Sequence, residues 1–297
     1  MKLFAILFFG SVALFATEPF ISAEKLNALL PLGKVVVLDV GTQEDYLTKG
    51  HITGAVNTKI SEWRMPVEKH FLMRPEAELI KKISELGISN DSTVVLYGHN
   101  QPKEILMASY MALTLKTLGH ENVAILNGGF AEWTYDSKRM ISHQMEAPKV
   151  GKFIAVPKKN IVVDRAFVLS KLNKIPMIEA RPPQFYYGLE ESEGVKRKGH
   201  ITGGSSYFWK NSFEADETVK NSNDLQEILV KGMQLDPTKE TMVYCTGGLE
   251  ASMNWYILTQ VLGFKDVKIY DASLKEWGNR EDTPMTIYRW ETCNKTL

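Results

Sequence analysis

An α/β fold built twice in tandem, each copy a mainly parallel sheet flanked by helices, is what the sequence predicts, on three observations. The stretch VVLDVGTQEDYLTKGHITGAVN (36–57) returns as MIEARPPQFYYGLEESEGVKRKGHITGGSS (177–206), with GHITG repeated letter for letter at 50–54 and 199–203. The later parts repeat as well: TVVLYGHN (93–100) answers TMVYCTGG (241–248), and LGHENVAILNGGFAEW (118–133) answers LGFKDVKIYDASLKEW (262–277). Within each copy, short apolar runs alternate with helical periodicity, the pattern of buried parallel strands covered by helices on both faces. The repeat is far longer than a solenoid unit, so it marks a duplicated globular domain.

Taken in order, the chain opens with Lys2 and an apolar run from Leu3 to Ala16, the layout of a secretory signal over 1–16. Its length falls short of the about 20 apolar residues of a spanning helix. Export, to a periplasm first, is therefore expected, with no stable membrane insertion after cleavage near Thr17; secretion and a short uncleaved anchor are the alternatives. The first domain is expected over 20–141. Ser22 stands as an N-cap before the helical pattern AEKLNALL, and the strand VVVLDV follows. The strand VVLYG leads into the helical run ILMASYMALTLKTLG, closed by a glycine suited to a C-cap, and VAILN is the next strand. A linker over 142–159 carries prolines, lysines and little periodicity. The second domain, over 160–297, repeats the scheme: Asp164 caps RAFVLSKL, then come the strands MIEA and MVYC, the helix ASMNWYILTQVLG and the strand VKIYD.

Composition sets bounds. Lys and Arg together number 35 and so do Asp and Glu, hydrophobic content is ordinary, and nothing points to nucleic acid. Two cysteines, Cys245 and Cys293, are too few for a disulfide scaffold. A bridge between them stays open as an alternative, and it makes both residues structural.

Cys245 lies at the carboxyl end of a strand, where open α/β sheets bind their ligands. The following Thr246, Gly247 and Gly248 let consecutive backbone N–H groups bend round one point, and a helix expected to start near Ala251 adds its dipole. That setting is expected to lower the thiol pKa below about 8.5 and to make a nucleophilic thiolate. A buried structural cysteine before a tight turn is the plainer account of the same residues.

Through the paired GHITG turns, the strand, cysteine, loop and helix at 243–252, and YDASLKEWG at 270–278, the chain resembles the tandem-domain rhodaneses, sulfurtransferases of the thiosulfate or 3-mercaptopyruvate type. The resemblance implies that the second domain keeps the nucleophile while the first has lost it, Gly98 standing where Cys245 stands. It implies a double displacement: Cys245 takes the outer sulfur of a small donor as a persulfide, and a thiol or cyanide removes it. The Thr246, Gly247, Gly248, Leu249, Glu250 and Ala251 segment is to hold the terminal sulfur by backbone N–H groups. No metal or organic cofactor is required.

Departures from the family pattern bear on the donor. Thr246 and Gly247 replace the basic side chains of thiosulfate-type loops, and Arg181 is the only arginine in RPPQFYYGLEES. Glu250 sets negative charge beside the sulfur, disfavouring an anionic donor unless it turns to solvent. Arg181, Lys196, Arg197, Lys198 and Lys210 are candidate offsets, Arg181 being also a candidate substrate-binding residue, with a solvated basic surface the preferred account of the KRK run. His51 and His200 hold equivalent turn positions, which favours a structural role. Trp133 and Trp277 read as core packing, and His99 and Glu104 as solvated loop residues, with Pro102 interrupting the first-domain cradle. A cysteine phosphatase needs a longer loop ending in an arginine to grip phosphate, and TGGLEAS after Cys245 has none. A non-catalytic sulfur carrier or sensor, and a binding protein with a bridged Cys245, remain as alternatives.

Overall fold

The computed structural model describes residues 18–99 and 103–292. The expected signal run (1–16), Pro102 and Cys293 lie outside the described residues.

The first half begins with β1 (Phe20–Ile21), α1 (Ala23–Leu29), β2 (Val35–Asp39), α2 (Gln43–Thr48), β3 (His51–Ile52) and β4 (Val56–Asn57). A hairpin, β5 (Arg64–Val67) and β6 (His70–Met73), is followed by α3 (Glu76–Glu85), β7 (Thr93–Tyr97), α4 (Glu104–Thr117), β8 (Val123–Leu126), α5 (Gly129–Tyr135) and β9 (Ile141–Ser142). The second half runs β10 (Val162–Val163), α6 (Arg165–Lys171), β11 (Met177–Glu179), α7 (Pro183–Tyr187), β12 (His200–Ile201) and β13 (Gly204–Ser206). It ends with α8 (Ser222–Leu225), β14 (Thr241–Tyr244), α9 (Leu249–Tyr256), β15 (Val267–Tyr270), α10 (Ser273–Trp277) and β16 (Met285–Thr286).

Two parallel sheets share one topology, β1-β8-β7-β2-β4 and β10-β15-β14-β11-β13. Their central strands β8, β14 and β15 are buried along their whole length; β8 accordingly reads as an unbroken apolar run, while β15 admits Lys268 by pairing its ammonium with Asp266 at 2.6 Å. Both predicted caps form: Ser22 Oγ accepts from Lys25 N–H at 3.2 Å, and Asp164 Oδ1 from Phe167 N–H at 2.9 Å.

The two GHITG turns start the antiparallel pairs β3–β9 and β12–β16. Gly199 has φ +97, and a Cβ there would lie 2.0 Å from the Thr286 carbonyl oxygen, so only glycine fits. The histidine that follows is a fold element in both copies. His51 stacks on Tyr46 at 3.6 Å and His200 on Tyr186 at 3.8 Å, and each ring Nδ1 bonds the backbone carbonyl of its tyrosine at 2.9 Å.

Helix α9 starts at Leu249, two residues earlier than expected, because Gly248 takes the left-handed conformation and caps it. After Tyr256 it passes into a π turn over Ile257–Val261. The segment 142–159 is fastened to the first half, with Gly151 N–H on Ser84 O (2.7 Å) and Val156 N–H on Leu118 O (2.9 Å).

Helices α4 and α9 pack against each other, Ser109 Oγ and Ser252 Oγ meeting at 2.7 Å, and one core cluster runs through both halves. Because α4 is covered by its own sheet on one side and by α9 on the other, it is apolar nearly all round instead of amphipathic.

Candidate active site

Strand β14 delivers Cys245 to the carboxyl edge of the second sheet, where the side chain is buried, with 1% of its surface exposed. The thiol is free. Three bonds strap the loop to the start of α10: Cys245 N–H to Ser273 Oγ (3.1 Å), Leu274 N–H to Cys245 O (3.2 Å) and Lys275 N–H to Thr246 O (2.8 Å). Gly248, at φ +93, donates its N–H to the Cys245 sulfur at 3.1 Å. A Cβ on Gly248 would stand 2.2 Å from Asp271 Oδ1, so no side chain fits where the chain turns into α9.

The other loop residues take distinct places. Thr246 and Gly247 are half-buried, with the stem of Lys275 lying over Gly247. Leu249 is the first residue of α9, and Ala251 is fully buried with its N–H directed to the sulfur. The half-buried Glu250 stands beside the loop, close enough for its charge to act on the Cys245 thiol.

This geometry corrects the expected thiol acidity. Burial, and then the negative charge of Glu250, push the Cys245 thiol up to about 12; the N–H groups of Ala251, Gly247 and Gly248 pull it down but do not prevail. The cradle exists, yet the site around it is too dry and too negative to hold a resting thiolate. Burial also raises the Glu250 carboxyl, against the charge of Arg181. Thiol and carboxyl thus form a pair in which a second negative charge is costly.

Arg181 is buried and committed to the fold. Its guanidinium pairs with Glu179 and donates to Ser192 Oγ and the Gly199 carbonyl, each at 2.7 Å, so its influence on the loop is the charge felt by Glu250. The candidate offsetting cations lie on other duties. Arg197 donates to the carbonyls of Trp277 (2.8 Å) and Thr283 (2.9 Å), Lys198 pairs with Glu191 at 3.3 Å, and Lys210 with Glu217 at 3.7 Å. Lys196 is exposed, and its backbone N–H reaches Asn279 Oδ1 at 3.0 Å.

In the first half, the place of Cys245 is closed. A Cβ on Gly98 would lie 2.4 Å from the Cβ of Glu104. His99 and Glu104 are not solvated loop residues: both are buried, His99 N–H donates to Glu104 Oε2 at 2.6 Å, and His99 Nε2 meets Asp39 Oδ2 at 2.7 Å. The carboxyl of Glu104 is drawn inward by the N–H of His99, the residue next to Gly98. Trp133 and Trp277 are core residues, each indole N–H bonding a backbone carbonyl.

Sequence reasoning missed the contribution of the first half to the second-half site. The hairpin β5–β6 crosses over, and Arg64 Nη2 donates to the Gly247 carbonyl (2.6 Å) and the Phe71 carbonyl (2.8 Å) and approaches Asp271 Oδ1 at 3.3 Å. Asp271 Oδ2 accepts from Met73 N–H at 2.9 Å and from Tyr110 O–H at 2.7 Å. The reverse contact also exists: Asn127, the counterpart of Asp271, accepts at Oδ1 from Val219 N–H of the second half at 2.9 Å. The only local signal was the position of Asp271 and Asn127 one residue past equivalent strands.

A family model for the rhodanese-like domain matches residues 22–136 and 166–280. A Mycobacterium bovis protein named "Putative thiosulfate sulfurtransferase 1" is 30% identical over 90% of this chain and 97% of its own. The sulfur carrier protein TtuD of Thermus thermophilus is 31% identical over 90% of this chain and 96% of its own. Among solved structures, the anaerobic ergothioneine biosynthesis enzyme of Chlorobium limicola superposes with a TM-score of 0.77 at 23% identity, covering 91% of this chain and 70% of that one. YnjE gives 0.79 at 20% identity over 92% of this chain and 69% of its own.

Proposed function

The chain belongs to the rhodanese-like family of sulfurtransferases, and from that premise we propose that it moves a sulfane sulfur from thiosulfate or a mercaptopyruvate-like donor to a thiol or cyanide through a persulfide on Cys245. The observation that carries this reading is the sulfur of Cys245 set in a backbone N–H cradle at the end of β14, with Gly248 N–H at 3.1 Å. The Cys245 sulfur attacks the outer sulfur of the donor, the thiol proton passes to Glu250, and sulfite or the enolate of pyruvate leaves with the bonding pair. The terminal sulfur of the persulfide then carries the charge, which the N–H groups of Gly247, Gly248 and Ala251 stabilise without any metal. An acceptor thiolate or cyanide attacks that terminal sulfur, the S–S bond breaks, and the Cys245 thiolate recovers its proton from Glu250.

Glu250 explains how a protonated thiol can serve. Proton transfer to its carboxyl removes the charge that held the thiol up, so nucleophile and acceptor are coupled in one step. The same charge repels a dianionic donor, which favours 3-mercaptopyruvate or a neutral persulfide over thiosulfate. A carrier role, in which Cys245 accepts and hands on sulfur to a protein partner, is the second reading and has the resemblance to TtuD in its favour.

The test is to incubate the protein and a Cys245→Ser variant with thiosulfate or 3-mercaptopyruvate, weigh the intact chains and follow sulfur transfer to cyanide. A gain of one sulfur atom with turnover, absent from the variant, is the expected result. No gain from either donor with a free, reduced thiol overturns it, and a gain without multiple turnover selects the carrier. We also propose, from Lys2 and the run that follows it, that the chain is exported; no described helix is long and apolar enough to cross a membrane. An exported fraction whose N-terminus still begins at Met1 counts against cleavage near Thr17.

A further inference from the structure

The Gly247–Gly248 peptide is the part of the cradle with the least reason to hold its orientation. Glycine on both sides leaves few steric barriers to turning the peptide over, and in the flipped state the carbonyl oxygen instead of the N–H would face the sulfur. Arg64 is placed on the far side of that same peptide. Its Nη2 lies 2.6 Å from the Gly247 oxygen, while the Gly248 nitrogen lies 3.1 Å from the Cys245 sulfur. In a planar trans peptide the C=O and N–H point in opposite directions, so a donor fixed on the oxygen aims the N–H at whatever stands opposite.

We propose that Arg64, supplied by the first half of the chain, is a positioning residue for Cys245: it locks the Gly247–Gly248 peptide with its N–H toward the sulfur. The guanidinium is itself held rigidly, against Asp271 Oδ1 at 3.3 Å, under the Phe71 carbonyl at 2.8 Å and over the Tyr110 ring at 4.5 Å from its centre. It is almost fully buried, and a buried cation on a peptide oxygen polarises the peptide and strengthens its N–H as a donor. Asp271 in turn fills the space that would otherwise let Gly248 carry a side chain. The half that lost its own nucleophile thus sets the geometry of the one that remains. The proposal rests on the sulfur-transfer reading for its catalytic meaning, while its structural content stands apart from it.

The experiment compares wild type, Arg64→Met and Arg64→Lys by two readouts, the amide resonance of Gly248 and the rate of persulfide formation as a function of donor concentration. In Arg64→Met the Gly248 amide is expected to lose its hydrogen-bonded shift and its protection from exchange. Persulfide formation at saturating donor is expected to slow about tenfold, the worth of one hydrogen bond to a charged sulfur, with the donor concentration at half-maximal rate within twofold. Arg64→Lys, which keeps a cationic donor for the Gly247 oxygen, is expected to recover part of both. Loss of Arg64 leaves Asp271 without its ion pair, so Arg64→Met/Asp271→Asn carries the same readouts where the single variant fails to fold. A Gly248 amide unchanged in the Met variants overturns the proposal whatever the rate does. A wild type that forms no persulfide, with a Gly248 amide that still responds to Arg64→Met, overturns the sulfur-transfer reading and leaves the positioning role standing.

Discussion

Replacing Glu250 with Gln removes one charge and little volume, and the effect on Cys245 can be worked from the contact between them. The charge of Glu250 holds the thiol up, and two unit charges about 4 Å apart repel by about 4 kcal/mol at an effective dielectric of about 20. Glu250 is only half-buried, and solvent screening takes roughly half of that, leaving about 2 kcal/mol or about 1.5 pKa units. The thiol, pushed up to about 12 in the native protein, is expected to titrate lower in the variant. Below both midpoints the alkylation rate follows the thiolate fraction and climbs about tenfold per pH unit. Glu250→Gln is therefore expected to react about 30 times faster with iodoacetamide at pH 8, following, and to level off at the lower pH. Iodoacetamide is neutral, so donor charge plays no part in the comparison. An alkylation rate unchanged or lowered by the substitution would refute the claim that Glu250 restrains the thiol.

The remaining predictions address the loop, the silent half and the basic run. Gly248→Ala places a Cβ 2.2 Å from Asp271 Oδ1 at φ +93; a loss of about 2 to 4 kcal/mol in urea unfolding is expected, with no persulfide formed. Gly98→Cys in a Cys245→Ser background is expected to gain no sulfur in an intact-mass assay, because the new side chain meets Glu104 at 2.4 Å. Arg197→Met removes the bonds to the Trp277 and Thr283 carbonyls and is expected to lower unfolding stability by about 2 kcal/mol. It should leave the KM for either donor unchanged, and a raised KM would return the KRK run to donor binding.

What could be read from the chain alone was whatever depends on neighbours in sequence. Ser22 and Asp164 were legible as caps because the bond they make reaches three residues along the chain. The strands were legible because burial on both faces writes itself as an apolar run, and the duplication made each half a check on the other. Cys245 and its glycines were legible as a loop, but its acidity was not, since that depends on how deeply the loop sits and where Glu250 turns. Arg64 acts on Gly247 from 183 positions away, and nothing local to either residue announces the contact. His99 and Glu104 were misread for the same reason, a short polar stretch giving no sign that it folds inward.

The crossed bonds, Met73 N–H on Asp271 and Val219 N–H on Asn127, have a consequence for ancestry. Each half covers the strand end of the other by the same kind of contact, as two identical subunits related by a two-fold axis would. A lone copy of the unit would leave that strand end bare until it met a second copy, and holding both in one chain makes that encounter intramolecular and independent of concentration. Within one chain the two copies need not stay alike, and beside Gly98 the space that a side chain would take is filled by Glu104.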